Sequence, residues 1–468
     1  MLDIKKTAKN TAIAFLAQGT SMLLSAVLTI FVPKLLGVEE FGYWQLFIFY
    51  ISYVGFFHFG LNDGVYLIKG GESREEIDKR SVNSQFILSL LMESLIAIVI
   101  VAICFIVIGP NDNRRFVLIA TAIYLVVQNA ASYFMFVLQA MNETRYSSYS
   151  TIVARLSFFF PLALFFFFSV DSFRPFVIAY TISAFLQFLY CAWYCKDILF
   201  SGFNGWNATI PEAFISMRVG SKLMLANIAS QLILGILRFA VDARWGVETF
   251  GKLSLSLSLV GFFLAFMTQA AMVLFPALRQ SDESEVRGFF RTMRVVMGII
   301  FPSIYLLYFP AIGILKVWLP AYAESLHYFV WLIPICVFES KMDITCTTLF
   351  KVRRKEGLLL KINVIVIAVC AAMVGVSIYV FDSVDMAIAS TTIAIIGRSV
   401  CAERIVAQDL EVPLDSISMQ EILLTLAFIL LTLTLPAIYA VLIYAALYAI
   451  FLCVNKKQVN TIIGLLRR

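Results

Sequence analysis

The sequence predicts an all-α integral membrane protein built as two six-helix bundles plus two further helices. Three observations predict it. Of 468 residues, 61% are hydrophobic and only 14% charged, and mean hydropathy is +0.89. A soluble domain runs at about 45–50% apolar and about 25% charged, so a water-soluble enzyme and a disordered chain are both excluded. Apolar runs of membrane-spanning length recur along the whole chain. A hexapeptide near the start returns, almost unchanged, in the second half.

The elements follow in order. A basic start, MLDIKKTAKN, precedes the apolar run Thr11–Val32. That run is too long for a signal-peptide core, and no small-residue cleavage site follows it. It reads as a retained first span. With about 20 apolar residues needed per crossing, further spans fall near 43–61, 84–108, 116–138, 148–169 and 174–195. A polar connection, Lys196–Pro211, leads to spans near 218–240, 252–276, 295–319, 326–350, 358–380 and 386–408. Leu423–Val454 is too long for one pass at about 1.5 Å per residue, and Pro436 divides it into two short spans. About 14 transmembrane helices result, with 12 or 13 as the alternatives.

Basic residues orient the chain. With the N-terminus inside, 25 lysines and arginines fall on the cytoplasmic side, 7 outside and 4 within spans. The asymmetry predicts a multi-pass inner-membrane protein with both termini cytoplasmic. The connections are short, so no sizeable soluble domain is expected. Asn142-Glu143-Thr144 and Asn207-Ala208-Thr209 match a glycosylation sequon but fall on the cytoplasmic side.

The repeat is GVEEFG at 37–42 and GVETFG at 246–251, an offset of 209 residues. Shifting the other first-half spans by 209 lands each on a span of the second half, which a chance hexapeptide does not do. The expected domains are an N-terminal lobe, 1–210, a second lobe, 211–410, and a helix pair with a basic tail, 411–468. Parallel repeats are a transporter architecture, suited to alternating access.

The eight cysteines lie in or beside apolar runs and show no metal or redox spacing, so they read as small core groups. With only His58 and His327, a histidine metal site or triad is not expected. No cofactor is implied. G-x-x-x-x-G-K-[ST] is absent, so the chain carries no P-loop for ATP. Nothing points to nucleic acid.

At this point the residues bear a family likeness. PKLLGVEEFGYW (Pro33–Trp44), HFGLNDGV (His58–Val65) and LQAMNETRY (Leu138–Tyr146) resemble the corresponding stretches of Wzx-type polysaccharide (O-antigen repeat unit) flippases of the MOP superfamily, which also holds MATE drug exporters and lipid II flippases. The resemblance implies a two-lobed MATE/MOP-like fold. It also implies movement of an undecaprenyl-diphosphate-linked oligosaccharide across the inner membrane, beside membrane lipids and with a polysaccharide polymerase and chain-length machinery as partners. His58 stands where the family phrase often has Asp, which puts a role for that acid in doubt here.

Such a cargo needs cations for phosphate. A charge at mid-membrane costs about 2.5–3.5 kcal/mol on insertion scales, so it must face a cavity or a partner. Four cations are candidate substrate contacts: Arg155, Arg398, Lys341 and Arg238. Arginine offers phosphate a bidentate, permanently charged fork. The competing readings are an Arg155–Glu93 ion pair, snorkelling of Arg398 to the inner interface, and a local Arg238–Asp242 pair one helical turn apart. Glu339 and Asp343 share a face, and Lys341, two residues from each, points roughly opposite. Glu93, Glu339, Asp343 and Asp63 are the candidates for H⁺ or Na⁺ coupling, against simple pairing with nearby cations. Gly19, Gly60, Gly235, Gly298, Pro302, Pro310 and Gly375 are packing or kink positions. The Phe clusters 158–160 and 165–168 surround their helix and mostly face lipid. A drug exporter of the same fold is the second reading, weakened by the surplus of intramembrane cations. A membrane polymerase or glycosyltransferase is the third, weakened by the short outer loops.

Overall fold

Side-chain caps set the starts of several helices. Asp78 accepts the Ser81 N–H, Asn111 that of Arg114, Asp282 that of Glu285 and Ser383 that of Met386, each satisfying an orphan donor of a first turn. The computed structural model describes residues 4–323 and 325–466. Among these the chain is helical, with no strand.

The first half runs α1 (Ile4–Ile30), α2 (Val32–Ile51), a 3₁₀ turn at Val54–His58, α3 (Leu61–Ile68), α4 (Lys79–Val107), α5 (Asp112–Ala140), α6 (Thr144–Phe167), α7 (Phe173–Tyr194) and the short α8 (Lys196–Leu199). Then α9 (Trp206–Gln280) leads to α10 (Glu283–Ile300), α11 (Ile304–Trp318) and α12 (Ser325–Lys341). A π-turn, Met342–Thr347, joins α12 to α13 (Thr348–Val352). Last come α14 (Glu356–Tyr379), α15 (Val384–Asp409), α16 (Ile417–Thr434), α17 (Ala437–Val454) and α18 (Lys456–Leu466).

Each predicted apolar run is helical, and Pro436 separates α16 from α17 as expected. Among the described residues ten helices are long and apolar enough to cross a membrane, or eleven with the bent pair Leu16–Ile30 and Val32–His58, which turns by 72°. The sequence expectation was higher because it divided three stretches differently. It split that bent pair in two. It also split α9, whose apolar part Ile228–Ala271 is 44 residues long. At about 1.5 Å per residue this exceeds the hydrocarbon core of about 30 Å, and Gly246 breaks it. Finally, it gave a full span to α12, which has 17 residues and contains Pro334.

Gly37 (φ 70°, ψ −177°) and Gly246 (φ 80°, ψ −177°), the first residues of the repeated hexapeptide, share one left-handed break that glycine alone adopts without strain. The ends of α5 and α13 also match. Glu143 N–H donates to Leu138 and Lys355 N–H to Phe350, both at 2.8 Å, around Asn142 and Arg354 with positive φ. These bonds satisfy carbonyls left open at a helix C-terminus.

The chain packs as two units, Met1–Ile228 and Ala229–Arg468. In the first, the opening turns of α9 lie on α3 with backbone against backbone. A Cβ on Gly64 would stand 1.9 Å from the Ser216 carbonyl oxygen, and one on Gly220 would stand 1.9 Å from that of Gly60. A core of Leu61, Val82, Phe86, Phe134 and Cys191 sits beside this joint. Apolar residues such as Leu95, Ile98, Ile106, Phe160 and Phe167 point outward, as a lipid-facing surface requires. Six cysteines are buried, but Cys401 and Cys453 are exposed on that outer surface and not core groups.

Candidate functional site

Arg155 sits on α6 in the first unit. Its Nε donates to Ser21 Oγ of α1 (3.1 Å) and its Nη1 to Tyr180 Oη of α7 (3.3 Å). Tyr180 is held by an aromatic cluster: Phe158 at 5.0 Å, Trp44 and Tyr124 at 5.8 Å and Phe47 at 6.1 Å between ring centroids. The guanidinium is therefore oriented by two hydroxyls backed by rings. Among the described residues no carboxylate reaches it. Glu93, the partner considered from sequence, is buried on α4 and accepts instead from Ser89 Oγ at 2.9 Å. Polar groups continue along α5, where Tyr124 donates to Gln128 (3.1 Å) and Gln128 to Ser132 (3.2 Å).

Asp63, on α3, is buried beside His58. The imidazole accepts the Gly60 N–H at Nδ1 (3.0 Å), which leaves its proton on Nε2, 3.7 Å from Asp63 Oδ2. The histidine that departs from the family phrase thus faces this acid as a neutral imidazole with its N–H toward the carboxylate.

In the second unit α12 and α15 are cross-linked twice, with opposite polarity. Glu339 of α12 accepts a short hydrogen bond from Arg398 of α15. Two residues on, Lys341 of α12 lies 3.0 Å from Glu403 of α15 and 2.7 Å from Glu421 of α16. The two-residue step turns Lys341 away from Glu339, as the helical period requires. Arg294 of α10 extends the network, 3.5 Å from Glu403 and 3.0 Å from Asp415, and Ser418 donates to Glu403 at 2.7 Å. Lys341, Arg294, Glu403 and Glu421 are each at most 2% exposed, so the pairing supplies what water would otherwise give. On the other face Arg398 also donates to Asn363 (3.4 Å), which donates to Ser230, while Thr268 donates to Asp343 (3.4 Å). Asp343 lies in the π-turn, whose extra residue re-aims the side chains beyond it. Arg238 is half-buried on α9, and buried Asp242 follows one turn on.

Of the predicted cations, Arg398 and Lys341 are thus ion-paired inside the second unit, while among the described residues Arg155 meets the hydroxyls of Ser21 and Tyr180. Arg398 is 2% exposed and does not snorkel. Sequence reasoning missed Arg294, Glu403 and Glu421. The spacing of Ser418, Glu421 and Thr425 on α16 is a polar stripe at helical period, and it was the available signal.

At one end of each unit a charged clasp ties three loops. Arg74 bridges Glu143 and Asp197, both at 2.6 Å, and Lys79 adds a contact to Asp197 at 2.8 Å. Burial works against the Asp197 carboxylate, but the Lys79 hydrogen bond and the Arg74 charge outweigh it and hold its pKa below the usual range. In the second unit Arg353 bridges Glu283 (3.2 Å) and Asp409 (2.7 Å), and Lys355 also bonds Asp409. Among the described residues no group of three or more His, Cys, Asp or Glu side chains is placed to hold a metal ion.

The family model for polysaccharide biosynthesis proteins matches residues 7–281. No curated protein matches the chain by sequence. Among solved structures, an inward-facing MATE-family multidrug resistance transporter of the MOP superfamily is similar at 11% identity, covering 84% of this chain and 95% of its own, with a TM-score of 0.60. The lipid II flippase MurJ, in an inward closed conformation, is similar at 12% identity, with 97% and 99% covered and a TM-score of 0.60. A MATE in complex with MaD3S is similar at 10% identity, with 87% and 97% covered and a TM-score of 0.53. At these identities the likeness shows a common fold, that of a multi-pass membrane protein.

Proposed function

The chain belongs to the polysaccharide biosynthesis protein family, and on that premise we propose that it is a flippase for undecaprenyl-diphosphate-linked oligosaccharide repeat units, precursors of O-antigen or capsule. It moves them from the cytoplasmic to the outer leaflet of a bacterial inner membrane by alternating access. The proposed halves are the lobes 1–210 and 211–410, residues 211–228 packing with the first of them, with 411–468 as an added helix pair. Family and fold neighbours are transporters and flippases, not enzymes.

One observation carries the reading. Arg155 is a guanidinium within an apolar helix, oriented by Ser21 and Tyr180 and without a carboxylate among the described residues. A permanent charge in that setting calls for an anion, and phosphate matches its fork. Arg398 and Lys341 reach a ligand only by giving up Glu339, Glu403 or Glu421, so they support the reading less. Glu93 and Asp343 are the proposed coupling acids, since both accept from hydroxyls.

Complementation of a deletion strain tests it. Arg155→Ala is expected to abolish surface polysaccharide while the protein stays inserted at normal levels. Full restoration by that variant would defeat the proposal. Drug export is the second reading, favoured by the MATE-like fold. Unchanged dye susceptibility in the deletion strain counts against it.

A further inference from the structure

A cleft of about 350 Å³ opens on the first unit between α1 and α6. Leu16, Gly19 and Leu23 line it from α1, and Leu156 and Phe159 from α6. Arg155 reaches into the same lining. Residues 16, 19 and 23 recur at i, i+3 and i+7, so they share one helix face. Leu16, Leu23 and Leu156 are 61%, 60% and 45% exposed, which makes the walls apolar and open. A Cβ on Gly19 would meet no atom within 4 Å, so the missing side chain is part of what keeps the space clear.

We propose that this cleft seats the isoprenoid end of a polyprenyl diphosphate, with its phosphate on Arg155. The inference rests on the flippase reading and adds where the lipid lies. The walls are hydrocarbon apart from Thr20, whose hydroxyl donates to the Ala17 carbonyl (2.7 Å), and the charged member of the lining is a guanidinium. That combination suits one chain joined to an anion, not a free anion. Ser21 and Tyr180 occupy Nε and one N–H of Nη1, and the remaining N–H groups of the five are left for phosphate oxygens. The neutral hydroxyls orient the guanidinium without cancelling its charge.

The test uses the purified full chain in phosphatidylcholine nanodiscs and radiolabelled undecaprenyl diphosphate. Gly19→Leu fills the cleft where there is room for a side chain, so its melting temperature is expected to stay at the wild-type value. Its affinity for the probe is expected to fall by about tenfold or more, as the lost burial of a few methylene groups implies. Leu156→Trp, narrowing the opposite wall, is expected to act in the same direction. Unlabelled undecaprenyl diphosphate is expected to displace the probe far better than inorganic diphosphate or dioleoylphosphatidylglycerol. Wild-type affinity in both variants overturns the cleft and leaves the flippase reading intact. Equal displacement by phosphatidylglycerol also overturns it, by making the cleft a general lipid site. No binding of the probe to wild-type protein overturns the flippase reading itself.

Discussion

Lys341 Nζ lies 2.7 Å from Glu421 Oε2, and this contact fastens α16 to α12 where neither side chain meets solvent. Glu403, 3.0 Å away, shares the same ammonium. Removing the lysine leaves two buried carboxylates facing each other, a loss of about 3–5 kcal/mol. Lys341→Ala is therefore expected to lower the melting temperature of purified protein more than Glu421→Gln, which leaves Lys341 with Glu403. The double variant Lys341→Met/Glu421→Leu is expected to recover most of the loss, because Glu403 keeps Arg294. Equal melting temperatures for all three would contradict the buried network.

Arg155 offers a graded test of charge against geometry. Arg155→Lys keeps the charge and loses the planar fork. Its export activity in the complemented strain is expected to fall between wild type and Arg155→Ala. Thermal stability should change little in either, since no carboxylate is left unpaired. A large fall in melting temperature for Arg155→Ala would make the residue structural.

The joint of α3 with α9 predicts a sharp contrast between glycines. Gly64→Ala or Gly220→Ala places a methyl 1.9 Å from a carbonyl oxygen, where backbone must shift. Overpacking of that kind costs about 1–3 kcal/mol, so both variants are expected to show reduced amounts of inserted protein. Gly55→Ala, with no atom within 4 Å, is the neutral control. Comparable yields of all three on a membrane-fraction blot would remove the joint's importance.

Asp197 gives a pH dependence with a definite sign. Its folded pKa is depressed, so the stability it contributes is present above the unfolded value near 3.8 and is lost as pH falls through the lower folded value. The pair is partly exposed, which limits the effect to about 1 kcal/mol. Asp197→Asn is expected to be slightly less stable than wild type at neutral pH and to converge with it once the pH falls below that depressed folded value. A gap that widens on acidification would be the opposite result.

Much of the fold is legible in the sequence. The hydrophobic runs placed the helices, Pro436 placed the last break, and the spacing of Glu339, Lys341 and Asp343 assigned opposite faces. The partners across helices were not legible. Lys341 finds Glu421 from 80 residues away, and no local pattern states which distant carboxylate will meet a given cation. For the same reason Arg398 and Arg155 looked alike in sequence, each a lone arginine in an apolar helix. Glu339 decides the difference for Arg398, and Ser21 with Tyr180 for Arg155. The start of α9 falls within Lys196–Pro211, which the sequence predicts to be a polar connection. The helix nonetheless begins at Trp206, and ten residues on it docks on α3 through contacts that only glycine permits.

The two loop clasps are alike in place, and two of their three positions are inverted in sign. Arg74 and Glu283 are 209 residues apart, the offset of the repeated hexapeptide, and Glu143 and Lys355, like Asp197 and Asp409, are 212 apart. The cation of one clasp therefore stands where the other has an acid, and the reverse holds at the second position. The third position is an acid in both, Asp197 and Asp409, held by Arg74 and Lys79 in the first clasp and by Arg353 and Lys355 in the second. Each clasp thus closes the same joint with a cation drawn from a different loop, so the ion pair is kept while its donor changes places.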